Sequence, residues 1–271
     1  MTVDRFRGVE LKVERAKFHA EALTNSVAEW MRRSPLSAKP EYLVDRLGFR
    51  LVLQSFVEGP PLDSWGLLAG DCVHNLRSAL DNLAYALAML KRDPPADPPG
   101  IYFPVFEDAD AFAVRARRTL VQLPEDAAQL LEAFQPFHRG PEHAQRDALL
   151  LLHHLDRHDK HRLPQVVLLA VNQGAHIAQM EFGSDADAAA AMPPEATMRG
   201  GPMEPGATLI EVRVKRPIAR LGGNVTVEAV PAIQTLVDVE GVIPVMEALG
   251  QHTTEILARC RALRSVNDAP R

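Results

Sequence analysis

Gly70-Asp71-Cys72-Val73-His74-Asn75-Leu76-Arg77-Ser78-Ala79-Leu80-Asp81-Asn82 reads as the middle of one amphipathic helix. At about 100° per residue, Asp71, His74, Asn75, Ser78, Asp81, Asn82 and Tyr85 share an arc of roughly 120°. The opposite arc carries Cys72, Val73, Leu76, Leu80, Leu83, Ala84, Leu87 and Leu90, an apolar face for packing in a helical bundle. The polar arc is unusual in kind. A solvated face favours Lys, Glu and Arg, which are good helix formers with long hydrated side chains. Asp, His, Asn and Ser are poor helix formers, and their short side chains suit hydrogen bonding, proton transfer or metal ligation. The pattern predicts a site on this helix.

A second segment answers it. His153-His154-Leu155-Asp156-Arg157-His158-Asp159-Lys160-His161-Arg162 ends a helix expected to begin near Pro141. His154, His158 and His161 share an arc of about 60°, and Asp147 projects the same way. Leu149 to Leu152 and Leu155 point in nearly every direction, as in a helix buried in a larger core. Pro164 fits a stop after its charged end.

Outward from these two helices, 4–33 reads as one long helix and 42–58 as one or two strands with a bend at Gly48. The motif helix starts at a cap on Asp63 or Ser64 and runs to about Arg92. A Pro-rich loop, a short strand or extended segment over 101–106, and helices over 109–120 and 124–134 follow. Strands are expected over 165–171, 176–182, 208–215 and 225–230, a mobile loop over 183–206, a hairpin turn at Gly222-Gly223-Asn224, and a final helix over 241–263. The fold class is therefore α+β, a helical bundle with a packed antiparallel β-sheet, read as a single domain over 1–271 in which the first and last helices meet.

Composition narrows the classes. The net charge of −5 and pI near 6.1 give no global pull toward nucleic acid, although a local basic patch stays open. Cys72 and Cys260 are too few for a disulfide framework or a zinc knuckle, so a reducing compartment is expected. The N-terminus lacks the apolar stretch of a signal peptide, and no run reaches the roughly 18 apolar residues of a membrane span. The expected location is the cytoplasm, with no membrane partner; the oligomeric state is open.

Three readings of the polar residues compete. In the first, Asp71, His74 and Asp81 pair with Arg77 and the Asp159–Arg162 end, and the network only fixes helix packing. In the second, His154 and His158, at i,i+4 spacing, ligate a divalent metal with Asp71, His74 or Asp81 completing the shell. No HExxH or CxxC pattern accompanies them. In the third, a His acts as general base or acid on a ribose 2′-hydroxyl while Arg or Lys stabilises phosphoryl charge. Here two segments resemble the HEPN ribonuclease-like helical domains, whose signature is Arg, four to six residues, then His. Arg146 to His153 fits it; Arg77 leads instead to Asn82.

The chain also resembles an uncharacterised bacterial family that carries Gly-Asp-x-x-His-Asn-Leu-Arg-Ser-Ala-Leu-Asp on one helix and Asp-Lys-His-Arg later. Both stand here, as 70–81 and 159–162, and Phe103-Pro104-Val105-Phe106 is similar too. The resemblance implies that Asp71, His74, Asn75, Arg77, Asp81, Asp159, Lys160, His161 and Arg162 form a family signature, without assigning roles. From the chemistry of the residue types, His74 and His161 are the candidates for proton transfer. Arg77, Lys160 and Arg162 are candidates to hold a small anionic ligand. Asp71 and Asp81 would orient the histidines, and Asn75 would contact the ligand. Arg115-Ala116-Arg117-Arg118 reads as a solvated helix face, and Trp30 and Trp65 as core.

Overall fold

Two long helices bracket a hairpin at the start of the chain: α1 (Arg7–Arg32), β1 (Leu36–Tyr42), β2 (Gly48–Phe56) and α2 (Leu62–Lys91). Short helices α3 (Ala109–Arg115), α4 (Arg117–Leu120) and α5 (Glu125–Ala133) lead to α6 (Ala148–Asp159). The strand-rich part holds β3 (Val166–Val171), β4 (Gln179–Phe182), α7 (Asp185–Ala191), β5 (Glu195–Met198), β6 (Thr208–Arg213), β7 (Ile218–Gly222), β8 (Glu228–Gln234) and β9 (Val239–Gly241). The last element is α8 (Val242–Asn267). The computed structural model describes residues 4–33, 36–140, 142–159, 166–171, 179–198, 202–222 and 228–267. The fold is α+β, as its sequence pattern predicts. No helix among the described residues is long and apolar enough to cross a membrane.

The chain groups into two compact units, each assembled from separated segments. The helical unit comprises Met1–Asn25, Asp63–Gln165 and Ile233–Arg271. Its core is the apolar stripe of α2 (Trp65, Ala69, Val73, Leu76, Leu80, Leu83 and Leu87) with Leu149, Leu152 and Leu155 of α6 and Met246, Leu249, Ile256 and Cys260 of α8, all buried. The first and last helices meet as expected. Arg261 of α8 binds Asp4 at 2.9 Å and also reaches Glu10 of α1.

The strand unit comprises Ser26–Leu62 and Val166–Ala232. Its main sheet has the order β1-β2-β6-β5 and is antiparallel throughout. Phe49, Leu51 and Leu53 of β2 turn inward, while Arg50 faces out and pairs at 3.0 Å with Glu211, its cross-strand neighbour on β6. Gly48 is required there, because a Cβ would run into the Val212 carbonyl oxygen. β4 and β7 form a separate antiparallel pair.

Several expectations change. The His-rich helix starts at Ala148 instead of near Pro141, because Asp147 caps it: its Oδ1 accepts from Leu149 N at 2.9 Å and Leu150 N at 3.3 Å. Asp147 therefore serves the helix start and does not join the histidine face. The expected loop over 183–206 contains α7 and β5. Ser184 caps α7 through Asp187 N, and a run of alanines propagates it. The 101–106 segment is extended but joins no strand ladder, because side chains hold its backbone: Gln135 accepts from Phe106 N and donates to Pro104 O. The expected strand start at 176–178 and the turn residues Gly223 and Asn224 lie outside the described residues.

Candidate functional site

The polar arc of α2 lies between α1 and α6 within the helical unit. On the α1 side, Lys12 Nζ donates to Asn75 Oδ1 at 3.5 Å, and the Nδ1 of buried His19 lies 3.6 Å from Asp71 Oδ2. Asn75 also donates to the Asp71 carbonyl, one turn back, at 2.8 Å. Asp71 and His74 are exposed, whereas Ser78 and Asn75 are half-buried.

On the α6 side, Asp156 and Asp159 face α2. Asp156 is 3% exposed, and its Oδ1 stands 3.6 Å from His74 Nδ1. The other imidazole nitrogen, Nε2, lies 3.5 Å from Ser78 Oγ. Both separations exceed the usual hydrogen-bond range, as catalytic contacts often do before a ligand tightens them. Asp159 reaches the α2 backbone at Gly70, where a Cβ would run into its carboxylate oxygen. Glycine in the interior of a helix is otherwise unfavourable, so this close approach accounts for the first residue of the motif.

Arg77 and Asp81 do something else. Arg77 is buried; its Nη2 donates to the Phe103 carbonyl at 2.8 Å and pairs with Asp81 Oδ1 at 2.9 Å. The same Asp81 oxygen accepts from Phe103 N at 2.9 Å. These two predicted site residues hold the extended segment against α2. Asp81 turns to Arg77 and Phe103, and the carboxylate beside His74 is that of Asp156, which sequence reasoning passed over. The signal was available: Asp156 sits three residues before Asp159, on the same face of the helix.

His154 and His158 lie against each other, with ring centroids 4.4 Å apart and planes tilted by 44°. Relative to Asp156 and Asp159 they project at least about 100° around α6, away from the α2 side. Burial, with His158 and Arg157 adding to it, holds His154 below the ordinary imidazole range against the pull of Glu107. Among the described residues, no three His, Cys, Asp or Glu side chains gather into a set that could hold a metal ion. His161, Lys160 and Arg162 lie outside the described residues. Arg146, the first residue of the HEPN-like spacing, occupies a short 3-10 turn ahead of α6, and His153 is half-buried within α6.

No family model, curated protein or solved structure matches this chain. The reading of the site therefore rests on its own geometry. What that geometry offers is an accessible imidazole with a buried carboxylate at one nitrogen and a hydroxyl near the other.

Proposed function

We propose that the polar face of α2 is a proton-transfer site for a small anionic ligand. His74 is the acid–base group, Asp156 positions its imidazole, and Lys12 and Asn75 meet the ligand's charge. The observation that carries this reading is the pairing of exposed His74 with buried Asp156. A carboxylate at Nδ1 favours the tautomer that is protonated there and leaves Nε2 as the base on the accessible side. The buried free cysteines accord with a reducing, cytoplasmic setting.

Arg77 and Asp81 favour the packing reading for their end of the helix, since both are committed to Phe103. Buried, and with its Nη2 engaged by the Phe103 carbonyl and Asp81, Arg77 offers an anion less than an exposed cation would.

Inorganic phosphate is the probe that tests the proposal. The ¹⁵N shifts of His74 are expected to move saturably on phosphate addition, and Lys12→Ala is expected to weaken that response. His74→Gln should change stability by less than about 0.5 kcal/mol, as at an ordinary surface position. A loss of about 1–3 kcal/mol on His74→Gln, the cost of stranding buried partners, together with no phosphate response, would reduce the site to a packing network.

A further inference from the structure

A cleft of about 820 Å³ opens between α1, α2 and α8, all within the helical unit. It borders α2 at Cys72 and Leu76, which project about 160–200° around the helix from His74. It is thus separate from the proton-transfer site. Its buried lining includes Ala16, Cys72, Leu76 and Met246.

Two further observations point to an occupant. Gly250 lies in the interior of α8 on the cleft wall, and, its own helix backbone and chain neighbours aside, a Cβ there would meet no atom of the described residues within 4 Å. Glycine in a helix interior is less favourable than alanine, and among the described residues no packing contact calls for it. The second observation is charge. On the rim, Lys17 pairs with Glu21 at 3.7 Å, and Glu247 adds another carboxylate. One lysine against two glutamates leaves the rim net negative, which disfavours an anion, and all three side chains are exposed, so no carboxylate stands inside the cleft to hold a cation. Size then selects the kind of occupant. Small-molecule sites span about 300–1,000 Å³, and this cleft falls within that range.

We infer that this cleft binds an uncharged, mostly apolar small molecule, with the bare helix backbone at Gly250 admitting it and the adaptable Met246 side chain packing against it. This inference is independent of the proposed function of the α2 polar face.

Two dyes with one anilinonaphthalene scaffold test it: neutral N-phenyl-1-naphthylamine and anionic 1-anilinonaphthalene-8-sulfonate. The neutral dye is expected to saturate at one molecule per chain and the anionic dye to bind at least tenfold more weakly. Gly250→Leu puts a side chain into the cleft and raises helix propensity, so it should weaken the neutral dye at least tenfold without lowering the melting temperature. Ala20→Met fills the cleft from the α1 wall and should do the same, and His74→Gln should leave dye binding unchanged. Absence of saturable binding, equal or tighter binding of the anionic dye, or unchanged affinity in a folded Gly250→Leu or Ala20→Met variant would overturn the inference. So would a wild-type dimer that Gly250→Leu converts to a monomer in sedimentation, because a second copy would then cover the cleft.

Discussion

Arg77 and Asp81, one turn apart on α2, close on a single residue. Arg77 Nη2 donates to the Phe103 carbonyl at 2.8 Å, and Asp81 Oδ1 accepts from Phe103 N at 2.9 Å. The two side chains also pair with each other at 2.9 Å. A stretch that no sheet satisfies thus has its backbone donor and acceptor met by one ion pair, and the fully buried Phe103 ring is fixed in the core beside it.

Asp81→Ala is therefore expected to destabilise the protein by about 2–4 kcal/mol, since it leaves a buried guanidinium without its counter-charge and a peptide N–H without its acceptor. Partial exposure of Asp81 places the value toward the lower end. Asp81→Asn keeps an acceptor for Phe103 N and should cost less. Urea denaturation of both variants measures the difference. Equal stability of wild type and Asp81→Ala would show that the clamp is not needed to hold the segment.

Gly70 and Asp159 should behave as a coupled pair. In the wild type, Gly70→Ala forces the Asp159 carboxylate to move, which offsets the gain in helix propensity. In an Asp159→Ala background the obstacle is gone, and Gly70→Ala should stabilise by up to about 1 kcal/mol. A double-mutant cycle reads the coupling directly. Additive effects would mean that Asp159 does not press on α2.

The helical half was legible because its signals are local. The apolar stripe of α2 recurs at helical spacing and is buried as that spacing requires, including Trp65. The strand half was less legible, because pairing is non-local. β5 and β7 are short, and they are strands by virtue of β6 and β4 beside them. The site was half legible for a similar reason. Helical spacing placed Asp71, His74, Asn75 and Ser78 on one face, but it could not show that Asp81 turns to Phe103 or that Asp156 turns to His74. Those partners are 22 and 82 residues away in the chain. The wheel of α6 grouped His154 with His158 correctly, yet it could not tell which side of that helix meets α2.

Asp147 links helix capping to charge burial. Its Oδ1 caps α6 while its Oδ2 accepts from Arg139 Nε at 3.0 Å, and its side chain is 1% exposed. Asp147→Ala should cost about 1–2 kcal/mol through the lost cap. Asp147→Asn retains a capping oxygen and should recover most of that loss, whereas Arg139→Ala tests the ion pair separately. Thermal melts rank the three. If Asp147→Asn were as damaging as Asp147→Ala, the carboxylate charge rather than the cap would be the dominant contribution.

The last prediction concerns pH. Burial holds both His154 and His252 below the ordinary imidazole value of 6.5. Around His252, Arg139 acts in the same direction, against Asp147 and Glu255. Well above pH 6.5 both histidines are neutral whether the chain is folded or unfolded, so they make no difference to stability. As the pH falls below 6.5, the unfolded chain takes up protons that the folded chain does not, and stability drops until the lowered folded values are passed. The urea midpoint should therefore decline from pH 7 toward pH 5, with His252, the more buried of the two, carrying the greater share. In His252→Gln the decline should be shallower, and in the His154→Gln/His252→Gln double variant nearly flat. A slope of the same size in the double variant would assign the pH dependence to other groups.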